Sequence, residues 1–146
     1  MKLSTRMRYG TRALLDLALR EDDGPTSLRS IASRQGISVK YLERIFASLQ
    51  GSGLVRGVRG ACGGYRLVRS PAMITLRQMY ESLEGQDPVV ECATHPQACS
   101  RAETCVTQQA WSQLHDVCME TLDSITLDDL VHRARQVGDQ TDTWCI

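Results

Sequence analysis

From Ser4 to Arg20 the apolar residues Met7, Leu14, Leu15, Ala18 and Leu19 fall near the spacing of one helix face, and Asp22-Asp23-Gly24-Pro25 then breaks the run. Ser27 is placed to cap a second, short helix through Gln35, with Leu28, Ile31 and Ala32 on its buried stripe. Gly36 suits the left-handed residue that ends a helix, and Ser38 is placed to cap a third. That third helix carries Tyr41, Leu42, Ile45, Phe46 and Leu49 at intervals of three and four, and Gly51-Ser52-Gly53 ends it. Leu54–Arg59 and Tyr65–Val68 read as two short strands around Gly60-Ala61-Cys62-Gly63-Gly64. Helix, tight turn, helix and hairpin together predict a winged helix-turn-helix.

Thr75 is placed to cap a fourth helix to about Leu83. Gly85 to Thr104 has two prolines, no apolar period and two clustered cysteines, and reads as an irregular loop. A loop of about 20 residues inside a compact domain is uncommon unless it is functional or disordered, and a ligand is the natural reason for it to be ordered. Beyond Cys105, Ala110, Trp111, Leu114, Val117, Cys118, Leu122 and Ile125 keep helical spacing over about five turns, a helix long enough to want a partner. Thr126 with Asp129 three residues on resembles a capping box opening a short last helix through Leu130 and Val131. From Gly138 the tail is polar and expected to be loose, so Trp144 and Cys145 carry no argument. The expected class is mainly α: a winged helix-turn-helix over 1–83, a cysteine loop over 84–105, a long dimerisation helix with a short terminal helix over 106–137, and a flexible tail over 138–146.

Length and charge sharpen this picture. The 146 residues suffice for one compact domain, or a small domain with an appendage, and not for two independent enzymes. Arg, Asp or Gly breaks every apolar run short of the roughly 18 residues of a membrane helix, and the N-terminal residues lack a secretory pattern, so a cytoplasmic protein is expected. The net charge is zero, yet residues 1–80 hold 14 Lys and Arg against 5 Asp and Glu, while residues 81–146 hold 3 against 12. A basic half attached to an acidic half points to a phosphate backbone as partner of the first and something else facing the second; solubilising charge on two faces is the plainer alternative.

In a helix-turn-helix the second helix enters the major groove, with its N-terminal side chains at base edges. Those are Ser38, Lys40, Glu43 and Arg44. Lys40 and Arg44 suit phosphates or guanine, and Glu43 suits the cytosine amino group, unless it serves only an intrahelical ion pair with Arg44 or Lys40. Arg56, Arg59 and Arg66 belong to the wing, where an arginine beside a glycine-rich tip is placed for a minor groove; a merely solvated hairpin would look the same.

Six cysteines in a reducing compartment read as metal ligands or reactive thiols before disulfides. Cys92, Cys99 and Cys105 are six and five residues apart, neither a zinc-ribbon pairing nor a redox Cys-x-x-Cys, and three thiolates leave a four-coordinate metal one ligand short. An iron–sulfur cluster suits such wide spacing because its ligands surround an object larger than one ion. Three loop thiols without a metal remain the alternative.

At this point the residues resemble a known family, the bacterial winged-helix regulators that include IscR, NsrR and RirA. The matching stretches are MKLSTRMRY at 1–9, RQGISVKY at 34–41, GLVRGVR at 53–59, Gly63-Gly64-Tyr65, the cysteine triplet followed by Trp111, and Ser124-Ile125-Thr126-Leu127. The resemblance spans about residues 1–135. It implies a homodimer joined through the helix after Cys105, a cluster near the dimer interface, and binding to double-stranded promoter DNA that changes with cluster state. By position Glu43 and Arg59 match residues that touch DNA in such members, and Cys92, Cys99 and Cys105 match cluster ligands, to a 2Fe–2S or 4Fe–4S centre.

Two positions depart from that pattern. Where IscR-like members place a histidine ligand this chain has Gln108, a poor ligand for iron, and where NsrR-like members use an acidic residue in the first helix it has Arg8, which cannot ligate. The fourth ligand is open among His95, Glu91, Glu103 and an external molecule. Cys62 reads as a small packing residue of the wing, or a thiol sensor, and Cys118 as an interface residue. The competing reading is a winged-helix protein that binds DNA constitutively, with structural zinc in the cysteine loop. No Cys-x-x-Cys, no phosphate-cradling Gly-Lys-Ser loop and no Ser/His/Asp order points to an enzyme.

Overall fold

The computed structural model describes residues 3–86, 90–95, 97, 99–101 and 104–138. Helices α1 (Thr5–Leu19), α2 (Leu28–Gln35) and α3 (Val39–Gly51) start where small hydroxyl side chains can accept from first-turn amides. Ser4 accepts from Arg6 and Met7, Ser27 from Ser30, and Ser38 from Tyr41. Between α2 and α3 the chain turns through Gly36 at φ 64°, a left-handed conformation that costs a residue with a Cβ more than glycine. The faces of α1 to α3 that carry Met7, Leu14, Ile31, Leu42, Ile45, Phe46 and Leu49 close on one core.

Strands β1 (Val55–Val58) and β2 (Gly64–Leu67) pair antiparallel, with Val55 opposite Leu67 and Arg56 opposite Arg66. The hairpin is fastened to the helices by a bridge between Tyr65 and Thr26, just before α2, and by the Phe46 and Tyr65 rings meeting edge to face at 4.8 Å. Gly64 permits that bridge, because a Cβ there would lie 2.5 Å from the Thr26 carbonyl. The strands agree with the pattern-based expectation to within about a residue at each end.

Helix α4 (Leu76–Glu84) opens with a full capping box: Gln78 donates its amide to the Thr75 hydroxyl, and its side-chain oxygen accepts from the Thr75 amide. The segment expected to be an irregular loop contains a short helix, α5 (Glu91–Thr94), packed on the start of the long helix α6 (Val106–Ser124). Helix α7 (Leu127–Gly138) is three turns rather than a short closing element, and it takes in Gly138. Residues 139–146, with Trp144 and Cys145, lie outside the described residues. The chain returns to the winged body here: Leu76 donates to the Ile125 carbonyl and Leu127 to the Ile74 carbonyl, both at 2.8 Å, and α7 packs on α1. No described helix is long and apolar enough to cross a membrane.

Candidate functional site

Packing decides which side of α3 is left over. Leu42, Ile45, Phe46 and Leu49 are buried, so Lys40, Glu43, Arg44 and Ala47 share the outward stripe and are all exposed. Ser38 is exposed too, with its oxygen engaged by the Tyr41 amide at 3.2 Å. Among the described residues the ion pairs are Asp16 with Arg20 and Arg34, Glu81 with Arg77, and Asp128 with His132. Glu43 therefore has no intrahelical ion pair with Lys40 or Arg44 in this arrangement.

The wing adds further cations. Arg56 and Arg66 face each other across the hairpin, an arrangement that repels unless an anion lies over it. Arg66 donates to the Glu21 carbonyl at 3.4 Å. Arg59 is exposed beside Gly60 at the tip, as is Cys62. The reading helix and the wing thus present Lys40, Arg44, Arg56, Arg59 and Arg66 without a carboxylate partner among the described residues, the arrangement a polyanion can use.

The three clustered cysteines are free thiols on the other side of α4 in sequence. Cys92 lies in α5 and Cys105 is the residue before α6; both are half-buried, while Cys99 is exposed. Two hydrogen bonds tie α5 to α6: Gln108 donates to the Cys92 carbonyl at 3.1 Å and Ser112 to the Ala93 carbonyl at 3.2 Å. Gln108 therefore holds the backbone of one cysteine at the position where a histidine ligand stands in IscR-like proteins. The Cys105 thiol lies below the ordinary thiol range, chiefly through the Thr107 hydroxyl at 3.2 Å and then through the Gln108 amide.

Thiolates are the donors iron takes in a sulfide cluster, so the chemistry of this set fits such a group. Among the described residues no three Cys, His, Asp or Glu side chains are grouped to hold a single ion. Of the other ligand candidates, Glu91 is exposed at the start of α5 and Glu103 lies outside the described residues. His95 meets the Thr94 hydroxyl at 3.0 Å and lines a cavity of about 290 Å³ with Arg77, Glu81 and His115, whose Nδ1 is buried without a partner among the described residues. Arg8 donates to Thr5.

Sequence reasoning missed one constellation. Asp16, within the otherwise apolar Leu14–Ala18 stretch of α1, is buried and receives Arg34, Arg20 and Gln35. A carboxylate amid an apolar stripe is a visible signal, but apart from Arg20 at the end of α1 its partners lie 18 and 19 residues away on α2.

Comparison with known proteins agrees with this geometry. Residues 3–133 match the family model Rrf2, described as iron-dependent transcriptional regulator. The rrf2 protein of Nitratidesulfovibrio vulgaris is 40% identical over 134 residues, covering 92% of this chain and 89% of that protein. Among solved structures, IscR of T. potens superposes with a TM-score of 0.77 at 39% identity, over 94% of this chain and 90% of that one. CymR, the global cysteine regulator of B. subtilis, does so with a TM-score of 0.74 at 37% identity, over 91% and 98%. A helix-turn-helix with free cations, a wing beside it and this breadth of likeness lead to one conclusion: the chain belongs to the Rrf2 family of DNA-binding transcriptional regulators.

Proposed function

We propose that this regulator's promoter binding is controlled by an iron–sulfur cluster on Cys92, Cys99 and Cys105, in a homodimer joined along α6. The observation that carries the reading is the joint between α5 and α6, where Gln108 holds the Cys92 backbone and Cys105 is biased toward thiolate by Thr107 and first-turn amides of α6. A single zinc ion needs ligands about 2.0–2.3 Å from one point. A cluster spreads its ligands wider, which suits cysteines set on α5, on the following loop and at the head of α6. The cluster supplies a redox-sensitive group responsive to oxygen, nitric oxide or iron supply. The protein contributes the thiolates and the joint that links them to the helix facing the second subunit. Ser38, Lys40, Glu43, Arg44 and Arg59 are the residues we assign to DNA.

What supports the dimer is the side of α6 that the described residues leave uncovered. Met119 and Leu122 are buried, while Val106, Ala110, Leu114 and Val117, at intervals of four, four and three, are exposed together with Trp111.

Protein purified anaerobically should be brown, with iron and acid-labile sulfide in matching amounts. Alanine at Cys92, Cys99 or Cys105 should remove the colour, and Cys62→Ala should leave it. A colourless wild type with stoichiometric zinc would replace this reading with constitutive DNA binding and a structural metal. Brown protein with full sulfide after all three substitutions would overturn the ligand assignment.

A further inference from the structure

We propose that Asp16 and Arg12 of α1 are positioning residues for DNA reading, clamping the turn of the helix-turn-helix so that α3 meets the groove at a set angle. Both carboxylate oxygens of Asp16 are occupied. Oδ2 accepts from Arg34 Nη2 at 2.6 Å and Oδ1 from Arg34 Nε at 2.9 Å, and Oδ1 also accepts from Arg20 and from the Gln35 amide group at 3.3 Å each. From one turn earlier on α1, Arg12 donates through Nη2 to the Gln35 carbonyl at 2.8 Å and through Nε to the Gln35 side-chain oxygen at 3.2 Å. Gln35 is the last residue of α2, Gly36 makes the left-handed turn, and Ser38 caps α3. The grip is thus on the pivot itself, one residue before the turn. At the other end of α1, Arg6 donates to Ser48 in the second half of α3, so α1 holds the helix-turn-helix at two points.

Apolar burial between α1 and α2 is non-directional and tolerates small rotations. A two-point carboxylate–guanidinium contact does not. An ion pair with one partner buried and the other partly exposed, as Asp16 is with Arg34, adds little net stability over apolar residues of similar volume, which leaves the geometry it imposes as the reason to keep one here. The geometry matters because of leverage. Glu43, the shorter side chain assigned to a base edge, lies four residues beyond the start of α3, about 6 Å along the axis, so a tilt of about 10° at the turn displaces it by about 1 Å. That is enough to lose a base contact, since a hydrogen bond tolerates only a few tenths of an ångström. Phosphate contacts from long, mobile lysine and arginine side chains survive such a shift. The clamp should therefore govern discrimination between sequences far more than general affinity for DNA.

The test uses the full chain, a site selected from random DNA by the wild type, and a scrambled duplex of equal length, at fixed salt. The variants are Asp16→Asn and Arg12→Lys. The second keeps the charge at this half-buried position but loses the two-point grip, and remains informative if Asp16→Asn fails to fold. In folded protein, affinity for the selected site should fall about tenfold or more while affinity for the scrambled duplex stays within about twofold; for comparison, the specific-to-non-specific ratio of such proteins is ordinarily about 10³ or more. Asp129→Asn, which weakens the cap of α7 and whose hydrogen bonds go to Thr126 and not to the clamp, should leave that ratio unchanged. An unchanged ratio in folded Arg12→Lys would overturn the proposal. So would a parallel loss on both duplexes that tracks the fraction unfolded, which would reduce the network to a stabilising contact. The outcome does not depend on the cysteine reading, because it is measured on protein with the three loop cysteines replaced as well as on wild type.

Discussion

Placing a charge at Leu114 should dissolve the proposed dimer. Leu114 and Trp111 each keep 44% of their surface exposed, Val117 keeps 52% and Val106 79%. Fully burying a side chain of this size contributes about 1.5–3 kcal/mol, so covering what remains of Leu114 contributes about 1 kcal/mol, and of the stripe about 4 kcal/mol from each subunit. A two-fold interface uses the same patch twice. Leu114→Asp forfeits about 1 kcal/mol of apolar burial per subunit and strands a carboxylate in the interface at a cost of about 1–3 kcal/mol more. Counted over both subunits the loss is about 4–8 kcal/mol, which at about 1.4 kcal/mol per decade raises the dimer dissociation constant by at least about 10³. Sedimentation velocity from about 0.1 to about 50 µM spans the range in which such a shift converts dimer to monomer. Circular dichroism should show unchanged helix, because Leu114 is not part of the buried core. Asp116→Ala, about 200° round the same helix, serves as control. Equal dissociation constants for Leu114→Asp and wild type would refute the assignment of this face.

Glu43→Ala should strengthen binding to non-cognate DNA, by removing a carboxylate that repels phosphate, and relax preference at one base pair by about 1–3 kcal/mol; anisotropy titrations with duplexes changed at single positions measure both, and equal changes on every sequence would make Glu43 a helix-surface charge. Arg59→Ala should weaken binding, lower the salt dependence by about 0.9 in the log–log slope, and lose discrimination at an A·T-rich minor-groove position. Asp129 lies below the usual carboxylate range because it accepts first from the Thr126 amide and then from its hydroxyl. Its folded value is depressed, so its contribution is present above the unfolded value of about 3.9 and is lost as pH falls through the folded one. Asp129→Asn should accordingly melt below wild type at neutral pH, and the two melting curves should converge in acid; a gap independent of pH would contradict the cap.

What could be read in advance was what depends on neighbours in sequence. Ser27, Ser38, Thr75 and the Thr126–Asp129 pair all cap as their spacing implies, because a cap needs only its own first turn. The wing was legible for the same reason, since two strands and a glycine-rich tip are a local motif. The length of α7 was not, because its apolar face is filled by α1, more than 100 residues earlier. Asp16 was not legible because Arg34 and Gln35, which enclose it, belong to another helix. The same limit explains α6: periodicity marks Leu114 and Leu122 alike as apolar, and only the packing of α4 shows that Leu122 is covered and Leu114 is not. At the cysteines, spacing suggested the chemistry, whereas the role of Gln108 in holding α5 needs coordinates.

The return of α7 onto α1 bears on how this protein can be made and cut. The helix-turn-helix, the wing and α4 form a continuous stretch ending near residue 84, and the pattern invites excising it as a portable DNA-binding module. The first helix of that stretch has its apolar surface completed by Leu127, Val131 and Ala134. A truncated version would expose that surface, with aggregation as the expected fate. During synthesis the same surface waits, uncovered, until α7 has left the ribosome. The first and last described helices therefore mature together, and a nascent chain stalled in the cysteine loop has no finished reading head with which to compete for promoters.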